Sequence, residues 1–308
     1  MPASTAIDPS ALLTIKDLEL RARVVMEGVQ AGLHRSPFSG FSSEFTEYRQ
    51  YSPGDDLRYL DWRAYARTDR FYLKKFEDET NLRCFILLDV SRSMKFGSRG
   101  YSKSEYASTF AATLACFLHG QRDVVGLGLF DQHVHDAVPP RWRPGHLQHI
   151  YASLSREPAG RDTALGSALQ EAARLCRKRT LVVIISDFLA PVGDWAGDLG
   201  LLAAAHHDVR AVQILDPAEQ ALDFGTAAIW EDLETGATRY VDPRQARSHY
   251  LKGFNQHAGQ VRATFDRHAV THQVVATTEP LDHALLRFLK HNIGPGSEAS
   301  PSGQEATS

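Results

Sequence analysis

The sequence predicts an α/β fold: a doubly wound, mostly parallel sheet flanked by helices, preceded by an N-terminal helix and a loop-rich extension. Three observations predict it. Short continuous apolar runs recur at residues 84–88, 124–130 and 181–185, and runs of that length without alternation suit strands covered on both faces. Amphipathic stretches with helix start signals lie between them, as where Ser102 is followed three residues on by Glu105 and then by Tyr106, Phe110 and Leu114. This strand–helix alternation, from Arg83 onward, is what crossovers over a parallel sheet require.

In chain order, residues 1–10 read as disordered. Residues 12–30 read as a helix with apolar positions at Leu13, Leu20, Val24, Val25 and Val29, its end marked by Gly28 and Gly32. From 33 to 80 the texture changes to aromatics, charges and turn residues. Ser52-Pro53-Gly54-Asp55 is a turn, because proline presets φ and glycine tolerates positive φ; 57–66 suits a short helix and 71–76 a strand. Arg49, Arg58, Arg63 and Arg67 stand near Glu47, Asp55, Asp56 and Asp61, among aromatic rings on which guanidinium planes stack. That composition suits a polar clasp holding the segment onto the neighbouring domain, or a docking face for a protein partner. Beyond the first buried strand and the helix from Ser102, a strand at 124–130 pairs with a hairpin partner at 133–138 that Pro139 and Pro140 end. A short helix follows at 146–154, then an amphipathic helix running to Arg177, a strand at 181–185, a helix at 199–206 and a strand at 209–215. A hairpin joins 227–231 to 238–241, a long helix covers 246–268, and a strand at 274–276 and a helix at 282–290 close the fold. The tail from Gly294, rich in Gly, Ser and Pro, reads as disordered. The expected organisation is an extension over 1–80, a main domain over 81–293 and a tail over 294–308.

The chain of 308 residues is long enough to bury a substantial core, and its 43% hydrophobic and 23% charged content is ordinary for a globular protein. A net charge of -3 gives no electrostatic footprint for nucleic acid. No apolar run is long enough for a transmembrane helix, and the first residues lack the charged start and apolar centre of a signal peptide, so a cytoplasmic protein is expected. Cys84, Cys116 and Cys176 each lie in an apolar pattern and form no C-x-x-C pair, which suits core thiols in a reducing compartment. Among the histidines, His206-His207 and His133/His135 have no carboxylate or cysteine at a metal-site spacing and read as surface or structural residues.

The chemistry-bearing residues stand at strand ends. The first buried strand ends in Asp89, with Ser91 and Ser93 at alternate positions after it, and ligands of open α/β sheets sit outside such C-terminal ends. One carboxylate and two hydroxyls offer only oxygen, which suits Mg²⁺ or Mn²⁺ and not zinc. The pattern is short, and Ser and Asp are also ordinary turn residues; the following helix, however, has its own cap in Ser102. Asp187 stands directly after another buried strand, and Thr163 in a loop immediately before a helix. Helix capping is the bland role for both. Together, three loops deliver Asp89, Ser91, Ser93, Thr163 and Asp187 to one edge of the sheet, an octahedral oxygen site with waters and one position left open.

These residues resemble the metal-ion-dependent adhesion site of von Willebrand factor A domains, which uses Asp-x-Ser-x-Ser on a first loop, Thr on a second and Asp on a third. The third loop here reads Ser-Asp-Phe, where adhesion domains commonly have Asp-Gly. Upstream, Ser43-Glu44-Phe45, Glu47-Tyr48-Arg49, Pro53-Gly54-Asp55-Asp56, Asp61-Trp62-Arg63 and Lys75-Phe76-Glu77 are similar to the bacterial family called domain of unknown function number 58. The resemblance runs from Gly32 to Asp187 and more loosely beyond. It implies a von Willebrand A-like domain, an oxygen-bound Mg or Mn ion, and a cofactor-like partnership with a MoxR-type AAA+ ATPase in chaperone or metal-insertion work. Some relatives carry N-terminal membrane helices; none is expected here.

Three functions follow. The first, which the resemblance favours, is a non-enzymatic binding module in which a partner's Asp or Glu completes the metal's coordination. The second is a metal-free scaffold whose polar loops only cap helices. The third is a metal-assisted phosphatase or hydrolase; against it, Asp89 lacks a second Asp two residues on, and no Gly-x-Ser-x-Gly elbow or phosphate-binding Gly-Lys loop occurs.

Overall fold

The computed structural model describes residues 7–34, 48–50, 72–74, 82–156, 163–222, 228–231, 238–241 and 243–292. The first element, Pro9–Leu12 (α1), exists because Asp8 caps it. Its carboxylate accepts the Ser10 N–H at 3.0 Å, Pro9 stands in the first turn, and Leu12 is buried. Residues 7–10 are thus ordered, contrary to expectation. The main N-terminal helix, Leu18–His34 (α2), starts later than its apolar pattern indicates, because the Asp17 side chain accepts the Leu20 N–H at 3.1 Å and begins a new helix there. Gly28 and Gly32 do not end it. A Cβ on Gly28 would lie 3.0 Å from the Asp282 Cβ, and one on Gly32 2.4 Å from a Leu286 methyl, so these glycines let a C-terminal helix approach closely.

Tyr48–Gln50 (β1) and Tyr72–Lys74 (β2) pair antiparallel, with Arg49 opposite Leu73. The expected turn at 52–55, the helix at 57–66, the charge pairs proposed over 47–67 and the tail from 294 lie outside the described residues.

The main domain follows the expected alternation: Arg83–Asp89 (β3), Lys103–Gly120 (α3), Val124–Phe130 (β4), Val134–Arg141 (β5), His146–Leu154 (α4), Leu165–Leu175 (α5), Leu181–Ser186 (β6), Ala196–Ala204 (α6), Asp208–Leu215 (β7), Pro217–Ala221 (α7), Ala228–Glu231 (β8), Thr238–Val241 (β9), Pro243–Arg267 (α8), Thr271–Ala276 (β10) and Leu281–Asn292 (α9). The strands form a six-stranded sheet in the order β10-β7-β6-β3-β4-β5, parallel except for β5. The separate pair β8–β9 is the expected antiparallel hairpin. One expectation fails in detail. Pro139 and Pro140 do not end β5, which continues to Arg141 opposite Val125. Proline is tolerated because β5 is the edge strand and its register slips at two points. Gly126 makes room, since a Cβ there would meet the Pro140 ring at 2.7 Å.

Each face of the sheet carries its own core. On one face Ile86, Leu88, Val183 and Ile185 pack with Ala22, Val25 and Val29 of α2, Phe110 and Leu114 of α3, Ile150 of α4 and Leu285 of α9. On the other, Phe85, Leu87, Val182 and Ile184 pack with Leu169 of α5, Leu199 of α6 and Phe265 of α8. The central strands β3, β4 and β6 are buried on both sides, hence their unbroken apolar runs. Strand order sets where the functional residues stand. From β3 the chain moves outward to β4 and β5, then crosses back to add β6 on the other side of β3. The order therefore reverses at β3/β6, and a crevice opens there beyond the strand ends.

Candidate metal centre

Asp89 is the last residue of β3, opposite Phe130 of β4, and Ser186 is the last of β6. Asp89 is fully buried. One of its oxygens accepts the Ser91 N–H at 2.9 Å and the other the Ser186 hydroxyl at 2.6 Å. Ser91 and Ser93 place their hydroxyls 3.1 Å apart. The same turn is stitched to β4, where the Val90 N–H donates to the Phe130 carbonyl at 2.8 Å. The Thr163 loop is stitched to that corner too, through the Ala164 N–H and the Asp131 carbonyl at 2.8 Å. Asp187 follows Ser186 and is buried. All five anticipated residues therefore stand on three adjacent loops at the C-terminal end of the sheet. Ser91 is buried, and Ser93 and Thr163 are half-buried.

Asp89 and Asp187 repel one another in this crevice. Burial first, and the Asp187 charge second, push the Asp89 carboxyl up to about 7, against hydrogen bonds from Ser186 and Ser91 that favour its ionised form. A second set of residues, not anticipated from sequence, answers part of the charge. Lys103, the first residue of α3, is fully buried. Its ammonium donates to Asp187 at 2.8 Å and to both oxygens of Glu219 at 2.7 and 2.9 Å. Burial alone lowers the Lys103 pKa, but the two carboxylates outweigh it and the net shift is upward. Burial likewise raises Glu219, against the pull of Lys103. Three carboxylates face one ammonium, so the group of Asp89, Asp187, Glu219 and Lys103 carries two negative charges in excess only once Asp89 has lost its proton.

The Asp187 loop is held in a strained shape. Phe188 has φ of +52°, a left-handed conformation costly for a bulky residue. Its ring is locked between Trp195 (5.9 Å between centroids) and Phe265 (5.1 Å). Its carbonyl accepts from the His257 ring at 2.7 Å, and the Asp187 carbonyl accepts from the buried Gln213 amide at 2.8 Å.

Two of the missed residues left signals in the sequence. A lysine at the first helical position opposes the helix dipole and calls for acidic partners. Asp216-Pro217-Ala218-Glu219 is a capping box with proline after the cap, and the structure builds α7 on it. Asp216 also accepts from the Ser98 N–H at 2.9 Å and hydroxyl at 2.6 Å, tying the segment after Ser93 to α7. The cysteines are free thiols; burial raises Cys84 and takes Cys176 to about 11, so neither is a ready thiolate.

The donor set fits a hard cation: oxygens only, hydroxyls from three side chains, and two buried carboxyl groups. Among the described residues no three His, Cys, Asp or Glu side chains are grouped to hold a metal ion, so such a cation would rest on the two aspartates and the hydroxyls.

Uncharacterized proteins of Mycobacterium bovis and Mycobacterium tuberculosis are each 31% identical to this chain over 262 residues, covering 83% of it and 82% of their own length. Among solved structures, similarity extends to a conserved hypothetical protein, BatB, from Bacteroides thetaiotaomicron (15% identity, 68% of this chain and 98% of that one, TM-score 0.44). It also extends to a von Willebrand factor type A protein from Catenulispora acidiphila (16% identity, 44% of this chain and 33% of that one, TM-score 0.34). Residues 47–263 match the family model described as protein of unknown function DUF58, and the chain belongs to that family.

Proposed function

We propose that this protein is a non-enzymatic, metal-dependent protein-binding module. Asp89, Ser91, Ser93, Thr163 and Asp187 would hold Mg²⁺ or Mn²⁺, and the ion would supply an open coordination position to a carboxylate from a partner protein. One observation carries the reading: the buried carboxylates of Asp89 and Asp187 share a crevice with the paired hydroxyls of Ser91 and Ser93 and with one ammonium, at the point where strand order reverses. Asp89 and Asp187 orient the hydroxyl-bearing loops, and Ser186 fixes the rotamer of Asp89. Lys103 shares Asp187 with any ion, which suits a low-affinity site that a partner's acid completes. The family resemblance points to a MoxR-type AAA+ ATPase as that partner. Among the described residues no helix is long and apolar enough to cross a membrane. We place the protein in the cytoplasm, where its three free thiols stay reduced. A second reading, a metal-free scaffold, is favoured by the Lys103 ammonium, a cation already present at Asp187.

Isothermal titration with Mg²⁺ and Mn²⁺, run on wild type and on Asp89→Ala, tests the reading. Binding by wild type alone is expected, followed by chelator-sensitive capture of the purified ATPase. Equal heats from both proteins, or turnover of phosphate or carboxylic esters abolished by Asp89→Ala, would overturn it.

A further inference from the structure

A second site of opposite charge lies along the edge of the sheet. β5 and α4 line a cleft of about 260 Å³ whose polar lining is Arg141, Arg143, His146, His149, Ser153 and Arg156, with three guanidinium cations among them. Arg156 is paired with Asp136 at 2.5 Å. Arg141, Arg143 and His149 are exposed, and among the described residues they have no side-chain hydrogen bond or ion pair. The buried His146 ring, 2.7 Å from the Val125 carbonyl, registers the local field. Its pKa is lowered by burial first, and then by Arg143, His119 and His149, against that hydrogen bond. Like charges crowded in a cleft repel one another until an anion enters, and the chain as a whole is net negative at -3.

We propose that this cleft is a docking site for a short acidic segment of a partner protein, its carboxylates paired with the guanidinium forks of Arg141 and Arg143. Arginine forks match carboxylates two bonds at a time. The occupant does not add as a strand, because Pro139 and Pro140 lack the N–H groups that edge pairing needs. The cleft is also short, and a long polyanion such as nucleic acid would extend beyond it onto a protein with a net charge of -3. The docking site uses none of the residues at the candidate metal centre and needs no ion.

The test uses the full chain with excess chelator, so that carboxylate capture by a metal contributes nothing. Fluorescein-labelled octaglutamate is titrated by anisotropy at about 50 mM and about 300 mM salt. Binding is expected at low salt, weakened roughly tenfold or more at high salt and by Arg141→Glu/Arg143→Glu, and weakened less by Arg141→Gln/Arg143→Gln. Arg174→Glu/Arg177→Glu, an equal charge change on the other face of the sheet, leaves it unchanged. Absence of binding, or equal loss in both charge-reversed pairs, overturns the proposal. So does tighter binding of a labelled oligothymidylate, which would make the cleft a nucleic-acid site. None of these results depends on whether the aspartate loops bind a metal.

Discussion

Replacing Asp89 with asparagine should stabilise the metal-free protein while abolishing its response to Mg²⁺. The folded carboxyl sits at about 7 against an ordinary 3.8. At about 1.4 kcal/mol per pKa unit, its ionised form burdens the fold by at most about 4 kcal/mol above neutral pH. Because folding raises this pKa, unfolding releases a proton between about pH 4 and pH 7. Stability of the metal-free protein therefore falls as pH rises through that window and then levels. Asparagine removes the charge and keeps the shape. Its carbonyl still accepts the Ser91 N–H, but its amide must donate to Ser186 where the carboxylate accepted, a rearrangement costing about 1 kcal/mol. The expected gain is then about 3 kcal/mol near pH 8, shrinking below about 1 kcal/mol near pH 5. Urea denaturation in chelator at the two pH values measures it. Repeating the titrations with Mg²⁺ reverses the ranking as concentration rises, since wild type gains about 1.4 kcal/mol for every tenfold excess over Kd and the variant gains nothing. The reasoning is refuted if Asp89→Asn is the less stable protein at about pH 8 in chelator, or if Mg²⁺ raises both midpoints alike.

Lys103→Met should cost roughly 3–5 kcal/mol, because it strands Asp187 and Glu219 as buried carboxylates. Millimolar Mg²⁺ should restore part of the loss in a thermal melt, and a variant as stable as wild type in chelator would show that the ammonium is not needed there. Below about pH 7 Mg²⁺ affinity should fall up to about tenfold per pH unit, since Asp89 must shed a proton before it faces an ion. Calorimetry in two buffers of different ionisation heat would count that proton, and a pH-independent Kd would contradict it. Gly126→Ala should lose about 1–3 kcal/mol by pressing a methyl into the Pro140 ring. A melting temperature unchanged from wild type would mean that the edge strand moves aside freely.

Much of this architecture can be read from the chain because its central strands, β3, β4 and β6, are covered on both faces. Burial of Ile86 and Leu88 on one side and of Phe85 and Leu87 on the other demands an unbroken apolar run. Ser102 and Glu105 announce the start of α3 because the capping box is a local interaction, made within four residues. At two of the places where expectation and structure part, tertiary context has overruled a local rule. Gly28 and Gly32 look like helix ends until Asp282 and Leu286 are seen against them. Pro139 and Pro140 look like a strand end until β5 is found at the sheet edge.

The same division runs through the candidate site. Sequence alone determined the chemistry on offer: carboxylate and hydroxyl oxygens at Asp89, Ser91, Ser93, Thr163 and Asp187, each at the end of an apolar strand or the start of a helix. Tertiary structure decided their electrostatics. The crossover that sets β6 beside β3 brings Ser186 to Asp89 and Asp187 within range to raise its pKa. The docking of α7 beside α3 turns Lys103, by sequence an ill-placed charge at a helix start, into the counter-ion of Asp187 and Glu219. Donor type is a property of single residues, whereas charge balance and burial belong to groups that meet only when strands far apart in the chain become neighbours.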